Sequence, residues 1–173
     1  FRVSVYKPSE PADPTIRFGT KASLGEEVQL LGYDLAAGPG CEVREPEDGK
    51  PELRISDPGQ CTINLSLYWR AAALLDRDYT VFTQLLDAGG HIVAQQDSQP
   101  QSGGFPTLDW FVGDIISDPY ALDVQVGAPP GDYTLQVGMY LLETLTRLPA
   151  YDSSGTRLPG DAVPLDVKVE VLP

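Results

Sequence analysis

A chain of 173 residues with 42% apolar and 21% charged side chains is long enough to bury one ordinary core and too apolar for a disordered segment. Its 17 glycines and 16 prolines demand many turns and work against long helices. Twelve basic against twenty-five acidic side chains leave a net charge of -13, so attraction to phosphate backbones or anionic headgroups lacks its driving force, which counts against nucleic-acid and membrane-surface roles.

The first residue is Phe1, with no charged start, apolar centre and cleavage site behind it, and no apolar run nears the roughly 18 residues that cross a bilayer. These features predict a water-soluble piece of a longer protein, with no direct membrane insertion. Residues 1–6 alternate Phe1, Val3 and Val5 with Arg2, Ser4 and Tyr6, while the proline-rich stretch 7–14 cannot pair inside a sheet; an edge strand followed by a linker is expected. Residues 28–35 form an apolar run that ends at Ala36-Ala37-Gly38-Pro39-Gly40, a strand entering a loop. Turn chemistry fills 45–51 and 57–60, with a brief pairing over 53–56 between them.

Cys41 and Cys61 flank this turn-rich stretch. A bond between them would close a loop of about twenty residues, worth roughly 3 kcal/mol in chain entropy, and would require an oxidising compartment. The alternative is two buried thiols acting as small hydrophobes. Two cysteines and the single His91 cannot complete a zinc site, and no metal or cofactor is expected.

The strictest period of two runs from 61 to 69: Cys61, Ile63, Leu65, Leu67 and Trp69 share one face, and Thr62, Asn64, Ser66 and Tyr68 the other. Residues 71–75 favour helix, but Asp76-Arg77-Asp78 stops it after one turn and leaves a connection. Strand character resumes over 79–87, and Asp87-Ala88-Gly89-Gly90-His91 forms a hairpin loop leading to Ile92 and Val93. Residues 96–119 read as one long aperiodic loop. Alternation returns at 120–126, 133–141 and 165–171. The pattern predicts an all-β fold: a single two-sheet antiparallel β-sandwich over 1–173, immunoglobulin-like or jelly-roll-like, with eight or nine strands.

Sugar recognition uses flat rings beside a few oriented polar groups. Trp110, in the long loop beside Asp109 and near Asp114, fits that pattern, as do Tyr68 and Tyr140 on the polar faces of their strands. Trp110, Tyr68, Tyr140 and Asp114 are therefore the candidate ligand residues. The competing expectation is that the tryptophan plugs one end of the core and the tyrosines pair with neighbouring strands. Asp109, Asp114, Asp118 and Asp123 lack the spacing of an EF-hand calcium loop, and Asp114, after Gly113, and Asp118, before Pro119, occupy ordinary turn positions. His91 belongs to a solvated hairpin tip. No nucleophile elbow, phosphate-cradling glycine loop or Ser-His-Asp set is visible, so no catalytic residue is assigned. A glycoside hydrolase, the remote alternative, would need two carboxylates about 5 to 9.5 Å apart.

Several phrases recur as a set: Leu30-Leu31-Gly32-Tyr33-Asp34-Leu35, Leu67-Tyr68-Trp69, Asp78-Tyr79-Thr80-Val81-Phe82-Thr83-Gln84-Leu85, Gly131-Asp132-Tyr133-Thr134-Leu135-Gln136-Val137-Gly138-Met139-Tyr140, and Arg147-Leu148-Pro149. With Trp110-Phe111-Val112-Gly113-Asp114, Asp118 and Tyr120, their order resembles the carboxy-terminal β-sandwich domain of bacterial polyprenol-phosphate-dependent, mannosyltransferase-like membrane glycosyltransferases. The resemblance spans most of the chain. It implies a non-catalytic extracytoplasmic accessory domain, periplasmic or at the cell surface, tethered through and contacting the parent's transmembrane region. Its partner would be a glycan or polyprenol-linked sugar, and no active-site residue is carried over. A protein-interaction module acting through an open sheet edge or the 96–119 loop is the alternative.

Overall fold

Alternation of apolar and polar side chains is what divides this chain into layers. The computed structural model describes residues 14–173; the strand expected over 1–6 and all but the last residue of the linker lie outside them. Twelve strands form among the described residues: β1 (Phe18–Leu24), β2 (Val28–Ala37), β3 (Cys41–Arg44), β4 (Glu52–Ile55), β5 (Thr62–Ala71), β6 (Thr80–Leu86), β7 (Ile92–Ser98), β8 (Ile115–Asp123), β9 (Gly131–Tyr140), β10 (Ala150–Tyr151), β11 (Val163–Pro164) and β12 (Lys168–Val171). Only short 3-10 turns interrupt them, and no helix of the described residues is long and apolar enough to cross a membrane.

One sheet has five strands in the order β10-β1-β2-β5-β8; the other runs β3-β4-β12-β9-β6-β7, with β11 also paired to β9 as its seventh strand. The fold is the expected all-β sandwich. Three details depart from expectation. Twelve strands replace eight or nine, because β3, β10 and β11 are too short to show a period and β1 is broken by a bulge between Gly19 and Ala22. The sheets are not wholly antiparallel either: β12 lies parallel to β4 while pairing antiparallel with β9. The long loop is also shorter than 96–119, since β7 extends to Ser98 and β8 begins at Ile115.

The inner faces supply the core. Ile63, Leu65, Leu67 and Trp69 from β5 and Leu135, Val137 and Met139 from β9 are all at most 1% exposed. Burying each such side chain stabilises the fold by about 1.5 to 3 kcal/mol. At the β1–β2 bulge, Gly32 pairs with Tyr68, and a Cβ there would sit 2.3 Å from the Phe18 carbonyl oxygen. Only glycine admits that approach of β1 to β2.

Cys41 stands on β3, at the edge of the seven-stranded sheet, and Cys61 immediately precedes β5 of the other sheet; their Cα atoms are 5.3 Å apart and the two form a disulfide. The bond joins the two layers, and Cys61 is itself fully buried. Replacing both cysteines by alanine removes a cross-link around a twenty-residue separation. The expected loss is about 3 kcal/mol, or roughly 6 to 12 °C in thermal midpoint for a domain of this size, measurable by calorimetry with and without reductant.

Candidate functional site

The four ligand residues expected from sequence are not brought together. Trp110 is buried, with 1% exposure, and its indole N–H donates to the Phe105 carbonyl at 3.0 Å. It plugs the end of the core, so the reading of Trp110 as a sugar-stacking ring gives way to the competing one. Asp114 closes the same loop by accepting the Phe111 N–H at 2.8 Å. Tyr68 lies on the outer face of the five-stranded sheet, 7% exposed, and its hydroxyl donates to Asp34 at 2.7 Å, which raises its pKa. Tyr140 lies on the outer face of the other sheet and donates to Asp97 at 2.9 Å. His91 is exposed at the β6–β7 hairpin, as expected, and pairs with Asp87. Among the described residues no cluster of three or more His, Cys, Asp or Glu side chains is arranged to hold a metal.

Asp118, seen from sequence as a turn residue, is fully buried in β8. Its carboxylate accepts from the Trp69 indole at 3.1 Å, the Tyr120 hydroxyl at 2.8 Å and the Gln101 backbone N–H at 2.8 Å. Burial pushes the carboxyl up, and the three donors oppose that push without cancelling it. The Gln101 contact holds a turn in which two non-glycine residues, Gln101 and Ser102, take left-handed backbone angles (φ of 54° and 55°). The hub thus belongs to structure: it fixes the long loop onto the core.

The open surface lies elsewhere. Register places Tyr151 of β10 beside Ser23 of β1, Ser23 beside Gln29 of β2, and Gln29 beside Arg70 of β5. Ala150, Leu24, Val28 and Ala71, one step along each strand, face the core, so the first four side chains share the outer face. They form one row, an aromatic ring, a hydroxyl, an amide and a guanidinium, across four adjacent strands. With strands about 4.8 Å apart the row is about 14 Å long. It lines a groove of about 940 Å³ walled on one side by the chain around Leu148 to Gly155. None of the four side chains hydrogen-bonds to another group among the described residues, in contrast to Tyr68, Tyr140 and Asp114. Asp152 at the wall accepts from the Ser154 hydroxyl and the Ser154 and Thr156 backbone, and these bonds hold its carboxyl below the usual range.

A second, smaller hollow of about 200 Å³ sits on the outer face of the seven-stranded sheet. Its floor is already occupied by the protein's own groups. The Arg147 guanidinium lies 4.1 Å from the centre of the Phe82 ring and donates to the Gly160 carbonyl at 2.8 Å. A Cβ at Gly138 would come 2.3 Å from the ring, so glycine there lets Phe82 lie flat on the sheet.

Neither protein-family models nor curated proteins give a match to this sequence.

Asp118→Asn tests the buried hub. One face of an amide donates, so it must confront either the Gln101 N–H or the Trp69 indole, and the expected cost is about 1 to 3 kcal/mol by urea unfolding. The sign with pH follows from the raised carboxyl. The folded chain binds this proton more tightly than the unfolded one, so the residue's contribution is complete below the ordinary value of 3.8 and is lost as pH rises through the raised folded value. The stability gap between wild type and Asp118→Asn should therefore shrink as pH rises from about 4 toward 7.

Proposed function

We propose that this chain is a non-catalytic, extracytoplasmic accessory domain of a mannosyltransferase-like membrane glycosyltransferase, and that it holds a glycan along the outer face of its five-stranded sheet. The row Tyr151, Ser23, Gln29 and Arg70 carries the reading. A pyranose ring offers an apolar face that stacks on an aromatic ring and a rim of hydroxyls that pairs with amides and guanidinium groups. Four unspent side chains in register, in a groove of about 940 Å³, provide both. A planar guanidinium has five donors in a fixed fork, which suits vicinal hydroxyls or the phosphate of a polyprenol-linked sugar.

Asp152, at the groove's wall, does not suit the acid of glycoside hydrolysis. A general acid for glycoside cleavage needs a raised pKa, whereas Asp152 is held low by Ser154 and Thr156. The Cys41–Cys61 disulfide is compatible with a compartment outside the cytoplasm.

Calorimetric titration of the chain with di- to tetrasaccharides, mannose-containing ones first, tests the reading. Tyr151→Ala and Arg70→Ala should each weaken binding at least about tenfold, a loss of about 1.4 kcal/mol. Tyr68→Phe should leave affinity unchanged. Silence across the glycan panel, or full affinity in both groove variants, overturns the proposal.

A further inference from the structure

Of the eight large apolar side chains exposed among the described residues, six lie on connections at the same end of the sandwich: Leu74, Leu108, Phe111, Val112, Leu142 and Leu145. The topology puts them there. β5 finishes and β8 begins at this end, since Arg70 pairs with Ile115; β6 begins and β9 finishes there too, since Thr80 pairs with Tyr140. The connections 72–79, 105–114 and 141–146 therefore crown one end, with the β1–β2 turn at 25–27 beside them, bonded from Ala72 N–H to Glu27 O. The other two exposed apolar residues, Ile92 and Val126, mark the opposite end.

This end is built, and its side chains are held out. Gly113 N–H bonds to Ala71 O at 2.8 Å and Ala71 N–H to Asp114 O at 3.0 Å, which fixes Phe111 and Val112 at a turn. Thr107 ties the two loops by donating to Arg77 O at 2.7 Å and accepting from Tyr79 N–H at 3.0 Å. Leu145, 70% exposed, takes a left-handed backbone (φ 59°), a position that glycine or asparagine fills at less strain. Exposure of the six ranges from 51% for Leu108 to 72% for Phe111, so the core draws little from them.

Charge selects the occupant. The four connections carry seven carboxylates (Glu26, Glu27, Asp76, Asp78, Asp109, Asp114 and Glu143) and one cation, Arg77. A second copy seated end to end would press two acidic rims together. An anionic bilayer would be repelled in the same way. Exposed apolar side chains set among carboxylates suit a protein interface, and an acidic surface fits a basic one.

We infer that this end docks a protein surface whose apolar pocket is ringed by lysine and arginine. The inference does not depend on the row Tyr151, Ser23, Gln29 and Arg70 on the sheet face; the two surfaces share only the β1–β2 turn, where Glu26 and Glu27 border both.

The test places a photoreactive benzophenone amino acid at position 111, at 142 and, as the opposite-end control, at 126, in the full protein in its own cells. Positions 111 and 142 should give an adduct to the same protein, and the cross-linked peptide should hold apolar residues flanked by Lys or Arg. Yield in isolated membranes or extract should fall several-fold between about 0.1 and 1 M salt, where the screening length contracts from about 10 to about 3 Å. Phe111→Ser and Leu142→Ser together should abolish the adduct from position 112 while leaving the thermal midpoint unchanged. Adducts only to lipid, only to a second copy, to a peptide without basic residues, or none above the position-126 control overturn the inference.

Discussion

A carboxylate shut away from water holds together one edge of this sandwich. Asp118 sits between the core tryptophan of β5, the tyrosine two residues along its own strand, and the backbone of the loop that follows β7. Removing an ionised group from water is costly, and the cost is tolerable only where several donors converge on it. That requirement works in both directions. Trp69, Tyr120 and the 100–103 turn must hold their positions for the carboxylate to be satisfied, and the carboxylate in turn makes their positions definite. The loop beyond, with Trp110 inserted into the end of the core, inherits that order. Both outer surfaces described above are displayed on a frame whose geometry this contact helps to set.

The two surfaces differ in the chemistry they expose. The groove on the five-stranded sheet presents a row of polar and aromatic side chains in register and lies on strands, the part of a sandwich whose spacing varies least. The crown at the end of the sandwich is apolar with an acidic border and lies on loops. Strands at fixed separation suit a ligand that repeats along its length, and loops suit a partner with one shaped surface. The two surfaces adjoin at the β1–β2 turn, where Glu26 and Glu27 border both.

Much of the architecture was legible in the sequence, and the reasons are local. Residues 61–69 and 133–141 alternate without a break because each strand has one wet and one dry face, and β5 and β9 follow that pattern. The glycine-bearing turn after Asp87 announced the β6–β7 hairpin, and the spacing of Cys41 and Cys61 allowed their bond. β1 escaped notice because Gly19, Thr20 and Lys21 interrupt its apolar positions at the bulge. The parallel contact of β12 with β4 joins segments more than a hundred residues apart, and no local pattern encodes it. The groove was hidden for the same reason. Ser23, Gln29, Arg70 and Tyr151 are ordinary polar or aromatic residues on four separate strands, and only the register between strands lines them up. Trp110, Tyr68, Tyr140 and Asp114 attracted attention as chemically versatile groups, yet each is held by an internal partner.

The place of β12 has a bearing on how the chain reaches its final form. Lys168–Val171 fills the slot between β4 and β9, so the β3–β4 hairpin gains its place in the larger sheet only through a strand more than a hundred residues further along the chain. Until β12 docks, the hairpin has an open flank. Pairings over so long a separation are slow to find. The bond from Cys41 to Cys61 gives the waiting hairpin a tether to the opposite layer. Oxidation before β12 docks would keep the slot near its filler, whereas a chain without β12 would lose the bridge from the β3–β4 hairpin to β9.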